Sequence, residues 1–181
     1  MPRMLNHSPK RSGGPDVRLL LLALLTTLSG CIYHFTGGGL PSHVKTVAVI
    51  PFENATSQPL LDTDIQRALQ TAFPRNLGVR LADEASADAV VRGKVTVYEE
   101  MPASYRPQQP GQTSVPVVQR QVRLSYDAEI YDMKEDKPLW RGQSQSVLGN
   151  YQPDSETEAD GRERAIKDLV NKVIEGAQSQ W

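Results

Sequence analysis

Residues 119–132, QRQVRLSYDAEIYD, constrain the fold more than any other stretch of the chain. Val122, Leu124, Tyr126, Ala128 and Ile130 alternate with Arg123, Ser125, Asp127 and Glu129. A period of two puts successive side chains on opposite faces, so this segment is a strand with one dry face and one wet face. MKEDKP then reads as a hairpin loop, and LWRGQSQSVLGN as the antiparallel partner strand. A sheet with one dry face needs a layer to cover it.

Two helical patterns supply that layer. Leu61, Ile65, Ala68, Leu69, Ala72 and Phe73 recur at helical spacing, with Asp62, Asp64, Gln66, Arg67 and Gln70 opposite. They predict an amphipathic helix over about 60–73, ended before Pro74. Near the C-terminus Ile166, Leu169, Val170, Val173, Ile174 and Ala177 keep the same rhythm. They predict a helix over about 155–178, roughly 35 Å long, with Ser155 and Glu158 spaced as a capping box.

Three further strands are expected. VKTVAVIPF (44–52) is a dense apolar run closed by Pro51, and GVRLA (78–82) is a short strand. In DAVVRGKVTVYE (88–99), Val91, Gly93, Val95 and Val97 face one way, and Arg92, Lys94, Thr96 and Tyr98 the other. Residues 100–116 contain Pro102, Pro107, Pro110 and Pro116 and are expected to form a loop rather than a central strand. The order β-α-β-β-β-β-α gives an α+β two-layer sandwich. Its mixed, mainly antiparallel sheet has four to five strands, and both helices pack on one face. The other face, rich in Arg and Gln, is open to solvent or to a partner.

The first thirty residues follow a different logic. Lys10, Arg11 and Arg18 precede the ten-residue run LLLLALLTTL (19–28). That run is too short to span about 30 Å of hydrocarbon as a helix. A basic region, a short apolar core and small residues describe a secretory signal, here residues 1–30. The chain has one cysteine, Cys31, so no internal disulfide is available. Leu28-Ser29-Gly30-Cys31 looks like a lipobox, with cleavage between Gly30 and Cys31 and acylation of the Cys31 thiol. Each buried CH₂ contributes about 0.8 kcal/mol, one chain alone holds only reversibly, and two or three anchor stably. Ile32, where an Asp would mark inner-membrane retention in many Gram-negative bacteria, points to the outer membrane. The leader holds four of the 20 basic and one of the 21 acidic residues. The mature part, with 16 and 20, is net −4, and nothing in that balance suggests nucleic acid.

Residues 31–43 read as a lipidated N-terminus and tether, with three glycines and then Pro41, and residues 44–181 as the folded domain. TGGGLPSH lacks the Gly-Lys-Ser/Thr that a phosphate loop requires, and no cofactor is expected. His7 lies in the signal, and His34 and His43 flank the glycines without metal-ligand spacing. No nucleophile motif occurs, so the chain is not expected to be an enzyme. Acidic pairs such as Asp83/Glu84, Glu99/Glu100 and Glu135/Asp136 sit in connectors as solvated charges. Tyr98, Tyr105 and Arg106 border the proline-rich loop, and Trp140, Arg141, Lys134 and Lys137 surround the hairpin turn. They fit either cross-strand packing with a solvated tip, or a surface for an anionic amphiphile, since Lys and Arg pair with phosphates and aromatic rings cover acyl or sugar surface.

Cys31-Ile32-Tyr33-His34-Phe35, the glycines, Leu40-Pro41 and then VKTVAVIPFENAT resemble the lipopolysaccharide-assembly lipoproteins of the LptE family. That family has a CGYHF-like start and a strand ending in F-x-N-x-T; Ile32 stands here in place of the usual Gly. The resemblance implies the α+β fold above and no catalysis. It also implies a place on the periplasmic side of the outer membrane, inside the lumen of the LptD β-barrel, as a plug that helps deliver lipopolysaccharide. By the same resemblance, lipopolysaccharide contacts fall on basic residues near loops at the sheet tip, here Arg106 and, in the hairpin, Lys134. VAVIPFEN is also similar to the first strand of CsgG, LpoB and TolB amino-terminal modules, which would make the chain a scaffold or a secretion or synthase partner.

Overall fold

The computed structural model describes residues 39–105 and 117–179. The elements are β1 (Thr46–Val49), β2 (Glu53–Asn54), α1 (Leu61–Leu77), β3 (Arg80–Leu81), β4 (Ala89–Tyr105), β5 (Val117–Asp132), β6 (Lys137–Tyr151) and α2 (Glu158–Gln178), with a 3₁₀ turn at Glu84–Ser86. They form one sheet in the order β3-β1-β4-β5-β6, with β2 also on β4. β1 is parallel to β3 and β4, β2 is parallel to β4, and β4-β5-β6 is an antiparallel meander. This is the expected α+β sandwich with a mixed sheet, one strand richer because Glu53–Asn54 pairs separately with Lys94–Val95.

The helical layer follows from burial. Val122, Leu124, Tyr126, Ala128 and Ile130 of β5 are buried, and Leu61, Ile65, Leu69 and Phe73 of α1 and Leu169, Val173 and Ala177 of α2 join them in one core. The helix α2 sits close to β6 because three glycines let it. A Cβ on Gly149 would strike the Gly161 carbonyl, and one on Gly176 would strike the Trp140 indole. Gly161 in turn accommodates the Tyr151 ring. Trp140 is therefore a packing residue, partly buried against the core.

Four expectations are corrected. First, α1 does not stop before Pro74; it continues to Leu77 and ends at Gly78, whose φ of 66° closes the helix through its N–H to the Pro74 carbonyl. Pro74 removes one helical hydrogen bond, but Phe73 is fully buried and tertiary packing carries the helix past it. Second, the capping box of α2 is Thr157 with Asp160, not Ser155 with Glu158. Glu156, just before it, accepts from the Gln152 amide at 2.8 Å instead.

Third, β4 runs through Pro102 to Tyr105. Beyond Val95 no β1 or β2 residue pairs with it, so here β4 has β5 on one side only. Pro is tolerated on such an edge because its missing N–H faces away from the ladder. Fourth, the alternation of β4 changes phase. A register shift between Val95 and Val97 turns Tyr98 and Glu100 toward the helical layer, opposite Leu124 and Val122, and Val97 and Glu99 to the open face.

Candidate functional site

The F-x-N-x-T stretch has a local mechanical meaning. Phe52, 2% exposed, fills the hollow over Gly93, where a Cβ would collide with its ring. Asn54 organises the following turn: its Oδ1 accepts from the Thr56 amide (3.0 Å) and hydroxyl (2.7 Å), and its Nδ2 donates to the Gln58 carbonyl (2.7 Å).

The described candidates fall at two ends of one long ladder. β4 and β5 pair from Ala89↔Asp132 to Tyr105↔Val117. Sixteen residues at 3.3 Å each separate these ends by about 50 Å. Lys134 belongs to the first end, two residues after Asp132, in the turn that joins β5 to β6. Tyr105 marks the other end, 57% exposed. Arg106 follows it and lies outside the described residues, as do Gly30 and Cys31. The structure thus does not bring the Lys134 turn and the end of β4 into one site.

The hairpin end is an ion-pair clasp. Lys134 Nζ is 2.6 Å from Asp88 Oδ1 and 3.4 Å from the His43 carbonyl. Asp88 Oδ2 accepts from the amides of Lys45 (2.8 Å) and Thr46 (2.9 Å), which ties the start of β1 to the start of β4. The Lys134 ammonium and then the Lys45 amide hold the Asp88 carboxyl well below the usual carboxylate range, against a smaller opposing effect of burial. Asp132, fully buried, is the buried charged residue of the described chain. Its Oδ1 accepts from the amides of Lys134 (2.8 Å) and Glu135 (3.0 Å), forming the turn, and its Oδ2 meets His43 Nε2 at 2.5 Å. Burial pushes the Asp132 carboxyl up, but the Glu135 amide, His43 and the Lys134 amide together outweigh it and the net direction is down.

His43, Asp132 and Glu135 are close enough together to suggest a cation site. The geometry argues otherwise. His43 turns Nε2 to Asp132 and Nδ1 to Glu135 at 3.8 Å, so one ion could not use the ring toward both carboxylates. Lys137, 2.6 Å from Glu135, already neutralises that group. The sequence placed His43 in the tether and missed this role, because its partner lies 89 residues away.

At the other end, Glu100 accepts from Arg120 Nε at 2.6 Å and from the Tyr151 hydroxyl. The Tyr151 hydroxyl, then Arg120, draws the Glu100 carboxyl below its usual range. Between the ends, the open face carries a shallow groove of about 480 Å³. Glu129 holds Arg92 (2.5 Å) and Arg141 (2.7 Å) there, and Lys94 is paired with Glu53 at 2.7 Å. Burial raises the Glu129 carboxyl, and the two guanidiniums more than offset it. Arg92 also lies 5.1 Å over the Tyr131 ring. These charges are matched across strands, so the face is polar without being strongly of one sign.

The family model described as LptE, lipopolysaccharide-assembly, matches residues 44–176. The chain belongs to the LptE family. That family is one of lipopolysaccharide-assembly lipoproteins. A comparison with curated proteins found no match. Among solved structures, the chain is similar to protein XCC0632 from Xanthomonas campestris, with a TM-score of 0.52 and 10% identity, over 76% of this chain and 85% of that one. It is also similar to a minor lipoprotein from Acinetobacter baumannii (TM-score 0.45, 19% identity, 75% and 92% covered) and to lipoprotein GNA1162 from Neisseria meningitidis (TM-score 0.42, 16% identity, 72% and 95% covered). At 10% identity the Xanthomonas likeness shows a shared fold and nothing of activity. No described helix is long and apolar enough to cross a membrane.

Proposed function

We propose that this LptE-family chain is an outer-membrane lipoprotein, cut before Cys31 and acylated there, that partners an LptD-type β-barrel in delivering lipopolysaccharide to the outer leaflet. The observation that carries the reading is the family match over 44–176, which covers the sandwich from the start of β1 almost to the end of α2. The lipobox at Leu28–Cys31 supplies the anchor in this reading, and His43 and Lys134 fix where the tether joins the fold. A cross-paired open face suits the polar, hydrated wall of a barrel lumen.

Lipopolysaccharide contact is assigned to Lys134, in the β5-β6 turn, and to Arg106, which follows Tyr105 in the sequence. The test is detergent extraction of the tagged full-length chain. An LptD-sized barrel in the eluate supports the proposal. A secretion pore or a synthase in its place would favour the CsgG- or LpoB-like reading and defeat this one.

A further inference from the structure

Among the described strands, β6 is the outer one of the sheet, with β5 on one side. An outer strand leaves a row of N–H and C=O groups open to pairing, and proteins commonly protect such a row with charged side chains on the strand itself. β6 carries Lys137 and Arg141 at its start, but its remaining residues 142–151, GQSQSVLGNY, contain no charged residue. The upstream part is interrupted by Pro138 and by a register shift at Gln143–Ser144, where Ser144 takes φ 50°. That leaves Gln145–Asn150 as a regular, uncharged, pairing-competent segment.

The protection comes from α2. Lys172 Nζ donates to the Ser146 carbonyl at 2.8 Å, and Arg164 Nη1 to the Asn150 carbonyl at 2.6 Å. The match is one of spacing. Eight residues of helix rise about 12 Å and four residues of strand about 13 Å, and carbonyls four residues apart on a strand point the same way. Arg164 is itself held by Glu156, whose Oε2 lies 2.9 Å from Nη1 and also accepts from the Gln152 amide at 2.8 Å.

We propose that the Gln145–Asn150 edge of β6 is a latent strand-pairing surface, held shut by Arg164 and Lys172, and that the partner it fits when uncovered is a second copy of this chain. A two-fold antiparallel pairing places an uncharged segment against itself without like-charge repulsion, and the interface is self-complementary by symmetry. It also covers Leu148, which is 47% exposed. With the Ser146 and Asn150 carbonyls already accepting from α2, a second strand cannot complete its ladder there, and the wild-type chain is expected to stay a monomer.

The test is the sedimentation of the full-length chain in detergent over a hundredfold concentration range. Wild type is expected to remain monomeric, and Arg164→Met/Lys172→Met, which keeps the apolar stems, is expected to double its apparent mass as concentration rises. Adding Leu148→Lys to the double variant puts a charge on the strand and is expected to restore the monomer. A natively folded double variant, judged by circular dichroism, that stays monomeric throughout overturns the proposal. So does a dimer that Leu148→Lys leaves untouched. If the double variant does not fold, Lys172→Met alone, which leaves the Arg164–Glu156 pair intact, is read by the same two outcomes.

Discussion

At the scale of single residues, Asp88 and Lys134 illustrate how a basic residue acquires a job the sequence does not announce. Lys134 reads in sequence as a free cation in a turn; in the fold its ammonium bridges the β5-β6 turn to the start of β4 through Asp88. The partners are 46 residues apart, and no local pattern links them. Asp88 and Asp132 both have carboxyls held below their ordinary values. Groups shifted in that direction stabilise the fold above their unfolded pKa, near 4, and that contribution is lost as pH falls toward the folded value. Thermal unfolding followed from pH 7 to pH 3 should therefore show the midpoint dropping below about pH 4, with a shallower drop in Asp88→Asn. An unchanged acid limb in that variant would mean Asp88 contributes nothing to it.

The same pair bears on lipopolysaccharide contact. Lys134→Glu would set two carboxylates face to face at Asp88 and disturb the clasp, so Lys134→Gln is the cleaner probe beside Arg106→Glu. With about 50 Å between the two ends, their effects on a direct lipopolysaccharide titration should add within about 0.5 kcal/mol. A strongly non-additive double variant would mean the two residues share one site.

At the scale of elements, legibility tracked how far each signal reaches along the chain. The strand β5 keeps one phase from Val122 to Asp132, and its alternation reads directly as burial. The strand β4 does not, because its register shift after Val95 depends on β5 and is invisible in its own residues. Pro102 argued against a strand only on the premise of two neighbours, and the premise fails where β1 and β2 end. The contact of α2 with β6 was also hidden, since it rests on glycines that carry no hydrophobic signal. Gly149→Ala should cost about 1–3 kcal/mol in urea unfolding, in the range of overpacked cores. Its new methyl meets the Gly161 backbone, which cannot rotate away. Gly176→Ala should cost less, because it meets the Trp140 side chain. Equal costs for the two would argue against that distinction. Leu124→Ala, at a fully buried site on β5, should cost about 2–5 kcal/mol by the same measurement.

At the scale of the whole molecule, the sandwich has one committed face and one uncommitted one. The committed face is the core under α1 and α2. The uncommitted face pairs its own charges across strands, from Lys94–Glu53 to Arg123–Glu99, and is left polar. The proposed barrel partner would meet such a face by shape and matched polarity rather than by a patch of one sign. We propose that this chain works as the lipid-anchored partner of an LptD-type barrel. Mass spectrometry of the detergent-extracted complex tests it most directly. The expected result is a mature chain beginning at an acylated Cys31, recovered together with a barrel of LptD size. An unprocessed or unacylated N-terminus, or an anchored chain recovered with a different partner, would contradict it.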